Sequence, residues 1–279
     1  MEILGSFFNL SVVLFVVATM LSMGFALNLS QITAPLKKPL LVADVLMTNF
    51  VLVPLVVLLL VFLIPVDEGT KIGLILLSLA AGAPFTPKLA ELAKGDTALA
   101  TAVMLLQMVA TVVILPFALP LMLEGDVSVD SLSIAKSLVI MMLIPLAIGL
   151  WVKEKFETVA AIWQGSMVTL SNLALVVIII LMMILHGKDI LAVLGYDMLA
   201  VILFMIVSLF IGYLAGGKFY RNRVVSSLSA GQRNVSAALV VAAQNFDDPK
   251  VPIIIITTSI IGLFILIFAA KKFVRSSSE

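Results

Sequence analysis

Seventeen lysines and arginines occur in the chain, and two of them stand apart from the rest. Arg233 lies about ten residues from either end of an apolar segment, inside the run Ser229-Ala230-Gly231-Gln232-Arg233-Asn234. Lys88 closes the run Gly82-Ala83-Pro84-Phe85-Thr86-Pro87-Lys88. A charge in mid-membrane costs several kcal/mol, so Arg233 must meet a partner, a wet cavity or an anionic ligand. One alternative is that carbonyls exposed at the other interrupted segment hold it. Lys88 has Glu91 one helical turn on, so a local ion pair competes with a site role there. Thr86, Gln232 and Asn234 add neutral hydrogen-bonding groups, and Asn49 and Gln107 place amides in mid-span. Asn49 and Ser229 complete the expected substrate- or ion-site set of Thr86, Lys88, Gln232, Arg233 and Asn234. Gly82, Pro84, Pro87 and Gly231 are the expected helix breakers, since prolines and a glycine so placed cannot continue a regular helix.

Covalent and metal chemistry find little material. The chain has no cysteine and a single histidine, His186, so thiol nucleophiles and multi-histidine metal sites are excluded. No catalytic residue and no metal site are expected. P-loop, HExxH and GxSxG patterns do not occur. The pairs Gly95-Asp96 and Tyr196-Asp197 lack the order and the flanking glycine of an intramembrane aspartyl protease.

The elements that must position these residues are membrane helices. Of 279 residues 62% are hydrophobic and 12% charged, which excludes a soluble enzyme, a nucleic-acid binder and a disordered chain. Nine apolar segments are expected, at about 5–28, 40–64, 70–94, 97–123, 134–152, 160–185, 191–216, 224–246 and 251–270. The first reads as a span, not a removable signal peptide. Alternate connections carry Lys37, Lys38, Lys94, Lys153, Lys155, Lys218, Arg221, Arg223, Lys271, Lys272 and Arg275. The other set carries Lys71, Lys136, Lys188 and Lys250 among many acidic residues. Eleven against four places the N-terminus outside and the C-terminus in the cytoplasm. Asp44 would form a boundary ion pair with Lys37 or Lys38. Fourteen methionines read as packing, and His186 as a solvated side chain at the outer end of a helix.

The third and eighth segments are interrupted and run in opposite directions. Such a pair, at related places in two halves (about 1–125 and 131–279), points to an inverted-repeat transporter occupying the whole chain, 1–279. No polar segment is long enough for a separate soluble domain.

At these two segments the sequence resembles the bile acid:sodium symporter family. The likeness rests on Leu76-Leu77-Ser78-Leu79-Ala80-Ala81-Gly82, on Leu89-Ala90-Glu91-Leu92-Ala93-Lys94-Gly95-Asp96-Thr97-Ala98-Leu99, and on Leu228 to Leu239 around Gln232-Arg233-Asn234. The resemblance implies an all-α polytopic membrane protein with a panel domain and a core domain. The core, about 70–123 and 224–270, would hold two broken, crossing helices. It implies a secondary transporter of organic anions working by alternating access, in a nine-helix form, coupled in the family to two sodium ions beside the crossing. Aligned with that pattern, Thr86-Pro87 replaces Ser-Asn, and Ala100 and Met104 replace hydroxyl ligands. Ser229 replaces a glutamate, Arg233 a glutamine, and Asn49 another glutamine. Fixed positive charge at Arg233 and Lys88 then stands where the family places mobile cations, so weakened or absent sodium coupling is expected. The expected substrate is a small carboxylate or sulfonate, the expected surroundings the bilayer of the plasma (inner) membrane. No cofactor, nucleic acid or protein partner is implied, and an enzyme is not expected. Two alternatives remain: a sodium-coupled organic-anion or bile-acid-type symporter, and a non-transporting membrane sensor on the same scaffold.

Overall fold

A computed structural model describes residues 2–28, 39–123 and 130–276. Lys37 and Lys38, used above for orientation, lie outside the described residues. The described chain is helical throughout, with no strand among the described residues. We number the helices α1 (Glu2–Ala26), α2 (Pro39–Leu63), α3 (Glu68–Leu79), α4 (Thr86–Leu92), α5 (Thr97–Met122), α6 (Ser131–Lys155), α7 (Glu157–Ala192), α8 (Tyr196–Ala215), α9 (Tyr220–Gly231), α10 (Val235–Asn245) and α11 (Lys250–Ser276).

Seven of these helices, α1, α2, α5, α6, α7, α8 and α11, are each long and apolar enough to cross a bilayer. The expected third and eighth segments are each split in two. Their pieces α3, α4, α9 and α10 hold 12, 7, 12 and 11 residues, too short for a crossing of about 20. The nine expected apolar segments therefore resolve into seven long helices and two broken pairs among the described residues.

The breaks fall slightly away from where the sequence put them. α3 stops at Leu79, and the chain is non-helical through 80–85. Pro84 sits in that stretch, but Pro87 lies in the first turn of α4, where a missing N–H costs nothing. Pro87 thus starts a helix instead of breaking one. In the second pair the break is Gln232 to Asn234, so Ser229 belongs to the last turn of α9.

Local chemistry sets several of the ends. Lys94 takes a left-handed φ of 52°, and Gly95 N–H reaches back to the Ala90 carbonyl at 2.8 Å, closing α4. Asp96 then caps α5 by accepting from Leu99 N–H at 2.9 Å. The Lys94-Gly95-Asp96 sequence is therefore a helix stop followed at once by a helix start. Prolines 54 and 145 each follow a π-helical turn, at Thr48–Leu52 and Val139–Leu143. The wider turn relieves the clash of a proline ring with the carbonyl four residues back.

Contacts at the connections separate two ends of the bundle. At one end Lys250 pairs with Asp67, Asp67 N–H bonds the Asp197 carboxylate at 3.3 Å, and Gly69 packs beside Asp248. At the other, Gly95 packs beside Val224 and Val225, and Tyr220 bonds the Phe273 carbonyl at 2.6 Å. The pair α3–α4 runs from the first end to the second, and α9–α10 runs back. The two broken pairs are antiparallel.

These pairs are also the interior. Every residue from Ile72 to Leu79 and from Ser236 to Ala242 is buried. α7 by contrast exposes Ile162, Leu173, Ile180 and Ile184, as a helix facing lipid does. α1 and α6 cross where Gly24 faces Gly149; a Cβ on Gly24 would lie 2.7 Å from the Gly149 Cα. Glycine at both positions lets the two backbones pack directly, the usual basis of helix association where lipid removes the hydrophobic driving force.

Candidate functional site

The two breaks touch, and Asn234 of the second is bonded to Ala80 and Gly82 of the first. Asn234 N–H donates to the Ala80 carbonyl at 2.8 Å, and its side-chain Nδ2 donates to the Gly82 carbonyl at 3.1 Å. Its Oδ1 accepts from Ala237 N–H at 3.0 Å and so caps α10. Asn234 is thus the tie between the breaks. Gly82 has φ +79°, and a Cβ there would sit 2.3 Å from Met108 N. Only glycine fits a left-handed turn pressed that closely on α5. Thr111 of α5 completes the junction: its hydroxyl lies 3.0 Å from both Ala81 N and Ala81 O. The sequence did not single out Thr111. A hydroxyl in mid-span was the available signal.

Arg233 is 4% exposed. Its guanidinium donates from one terminal nitrogen to the Ser78 carbonyl at 3.2 Å and from the other to the Ala230 carbonyl. Those carbonyls end α3 and α9, so the two negative helix ends converge on one cation. The Phe204 ring of α8 covers it, with 5.7 Å between Cζ and the ring centroid. No ion pair to Arg233 occurs among the described residues, and its Nε has no partner. Carbonyl anchoring and one buried donor without a partner among the described residues coexist in this side chain.

Between the breaks, α1, α7 and α11 lies a cavity of about 520 Å³. Arg233 and Gln232 line it, with Ser236 and Ser259 nearby on the core side. The facing wall comes from α7 through Gln164, Val168, Ser171, Asn172 and Leu175, and from α1 through Thr19 and Ser22. The α7 residues fall at i, i+4, i+7, i+8 and i+11, one stripe of a helix. That spacing was in the sequence, and the amides at 164 and 172 were passed over within an otherwise apolar span. Phe15, Met23, Phe85 and Leu263 make the rest of the lining apolar. Such a mixture, mostly apolar with a few convergent polar groups and one cation, suits a small amphipathic anion.

The other expected site residues are placed as follows. Lys88 pairs with Glu91 at 2.9 Å, with 55% and 60% of the two side chains exposed, and does not line the cavity. Thr86 is buried and donates to its own break at the Ala83 carbonyl, 2.9 Å away. Ser229 donates to the Ser226 carbonyl at 3.0 Å. Asn49 donates to the Val45 carbonyl at 3.0 Å, while its Oδ1 is buried without a partner. Both amide atoms of the fully buried Gln107 are likewise without a partner among the described residues. Asp44 is exposed, and His186 pairs with Asp189 at 3.2 Å at a non-helical turn of α7. Among the described residues no cluster of three or more His, Cys, Asp or Glu side chains could hold a metal ion.

Comparison with known proteins identifies a family. The Sodium Bile acid symporter family model matches residues 12–193. The "Probable sodium/metabolite cotransporter BASS3, chloroplastic" of Oryza sativa subsp. japonica is 26% identical over 148 residues, 53% of this chain and 35% of that protein. Its namesake from Arabidopsis thaliana is 26% identical over 148 residues, 53% of this chain and 34% of the relative. The match spans about a third of the length of these curated relatives. With the family model covering well over half of its residues, the chain belongs to the sodium bile acid symporter family.

Proposed function

We propose that the protein is a secondary transporter of a small organic anion, a carboxylate or a sulfonate, working by alternating access. The observation that carries this is Arg233, a buried cation with no carboxylate partner among the described residues, on the wall of the 520 Å³ cavity. Burying an unpaired charge is costly unless a ligand offsets it. Membership of a symporter family and relatives named as sodium/metabolite cotransporters support transport of an organic substrate.

On this reading the pairs α3–α4 and α9–α10 each cross the bilayer, giving nine spans and an inverted repeat. The N-terminus is outside, the C-terminus cytoplasmic, and the membrane the plasma (inner) membrane. Sodium coupling is weakened or absent, because Arg233 already takes the Ser78 and Ala230 carbonyls that a mobile cation would need. Lys88, tied to Glu91, is given no part in this role. Asn234 and Thr86 hold the crossing, and Gln232 orients the substrate beside Arg233.

Sodium symport is the second reading, and a specific observation favours it. The buried oxygens of Asn49 and Gln107 lack partners, and oxygen ligands are what a hard cation takes. Uptake of labelled organic acids into proteoliposomes, with sodium replaced by choline, separates the two. Uptake that persists in choline supports the first reading; strict sodium dependence establishes the second.

A further inference from the structure

A groove of about 760 Å³ runs between α8 and α11, with α9 contributing to its lining. It shares no residue with the 520 Å³ cavity. Its lining is apolar over most of its length, and Phe210, Phe264 and Phe268 are 60%, 72% and 71% exposed, so the groove is open on the flank of the bundle. One end is polar. Lys272 lines it there beside Tyr213, whose ring stacks on Phe273 and carries the Arg223 guanidinium 4.7 Å from its centroid. From Phe264 to Lys272 a helix rises about 12 Å, close to the hydrocarbon depth of one leaflet, about 15 Å. The charge around this end is of one sign. Lys218, Arg221, Arg223, Lys271 and Lys272 fall there, and the sequence holds no aspartate or glutamate from Met198 to Phe246 or from Pro249 to Ser278. Lys88 and Lys153, by contrast, each pair with a glutamate one helical turn away.

We propose that this groove is a binding site for an anionic phospholipid, with an acyl chain against Phe210, Phe264 and Phe268 and the phosphate at Lys272. The four other cations strengthen the field at the headgroup, as basic clusters at a membrane surface do for acidic lipids. A zwitterionic lipid fills the apolar length but leaves the charge at its end unanswered; an anionic one answers both. A second copy of the chain fits the groove less well. Seated on the same face about a two-fold axis along the bilayer normal, it brings the five cations against their own duplicates, and like charges across an interface are costly. The site needs only that the chain sits in a bilayer, and it stands whether or not the protein transports an organic anion.

The test is a titration of the purified full-length protein in detergent with dioleoyl phosphatidylglycerol, and in parallel with dioleoyl phosphatidylcholine, with bound lipid read by native mass spectrometry. Saturable binding of phosphatidylglycerol, at least about tenfold tighter than phosphatidylcholine, is the expected result. Lys272→Glu removes one attraction and adds one repulsion, so it should weaken phosphatidylglycerol binding by about tenfold or more and leave phosphatidylcholine unchanged. Ala269→Trp fills the groove and should weaken phosphatidylglycerol binding with Lys272 intact. Lys136→Glu, an equal change of net charge on α6 outside the groove, should have no effect. Melting midpoints without added lipid show which variants are folded, and Lys272→Gln stands in if the reversal is not. Equal affinity for the two lipids overturns the proposal, as does wild-type binding by folded Lys272→Glu or Lys272→Gln, or an equal loss in Lys136→Glu. Displacement of the lipid by glycerol 3-phosphate alone also overturns it, since the site then reads a free phosphate. A dimer in detergent that Ala269→Trp dissociates overturns it in favour of a second copy. None of these outcomes bears on organic-anion uptake, which is read separately in proteoliposomes.

Discussion

Replacing Arg233 by methionine should separate the cost of the guanidinium to the fold from its use to the substrate. Methionine keeps a long side chain against Phe204 and removes the charge. On the folding side two terms oppose each other. The hydrogen bonds to the Ser78 and Ala230 carbonyls are lost, at about 1.5–3 kcal/mol each for a charged donor. The desolvation of a buried ion, several kcal/mol, is lost with them. These offset, so the melting midpoint should move by only a few degrees. On the substrate side nothing offsets the loss. A carboxylate about 4 Å from the guanidinium gains about 4 kcal/mol at an effective dielectric constant near 20, and about 1 kcal/mol in bulk water. The cavity lies between these limits, so half-saturation for uptake should rise by between about fivefold and about a thousandfold. The assay is concentration-dependent uptake of labelled organic acids into proteoliposomes, with Arg233→Lys alongside. Lysine keeps the charge but cannot reach both carbonyls with a planar fork, so it should give an intermediate value. A folded Arg233→Met protein with the wild-type concentration dependence would refute the role given to Arg233.

Three further substitutions probe the crossing. Gly82→Ala should fail to fold or should melt far below wild type, because a Cβ meets Met108 N at 2.3 Å and φ is +79°; detergent gel filtration and melting curves read this, and a near-native midpoint would remove the backbone reason for glycine. Asn234→Ala strips a cap from α10 and leaves the Gly82 carbonyl unpaired, a loss of about 2–4 kcal/mol that denaturant titration should detect. Lys88→Ala breaks an exposed ion pair worth about 0–1 kcal/mol, so stability and uptake should both stay near wild type; a tenfold loss of uptake there would return Lys88 to the site.

The sequence reading succeeded where a residue's cost in lipid is large. Arg233 in mid-span, the glycine and prolines of the third segment and the polar run of the eighth could not lie in an ordinary lipid-facing helix, and they mark the two breaks. Its errors are of position and of partner. Pro87 and Pro84 look alike in sequence, but only the structure shows that one of them starts a helix. Lys88 and Arg233 carry the same charge, yet Lys88 has Glu91 one turn away and Arg233 has no carboxylate partner among the described residues. Local pairing was legible in the spacing; which of the two cations faces a cavity depended on how α1 and α7 pack. The polar stripe on α7 went unread for a related reason. Amides and hydroxyls spread over three helical turns leave the span apolar on average, and only the neighbour across the cavity gives the stripe meaning.

The placement of Arg233 has a consequence for ion coupling. When a membrane helix is interrupted, the carbonyls of its last turn lose their partners and gather partial negative charge. Here the last turns of α3 and α9 are brought together because the antiparallel breaks are tied through Asn234, so their carbonyls converge on one point. A cation at that point offsets the cost of carbonyls that would otherwise be buried and unpaired. A mobile ion can do so and can leave, which makes its concentration gradient available to drive a conformational change. A guanidinium on the same chain can do so but cannot leave. On the proposed reading the junction then stays neutralised throughout a transport cycle, and free energy would enter through the organic anion's own gradient or through another ion. For this reason a persistence of uptake in choline would agree with the geometry at Ser78 and Ala230. A strict sodium requirement would place the sodium ligands elsewhere, with the unpartnered amide oxygens of Asn49 and Gln107 the first to examine.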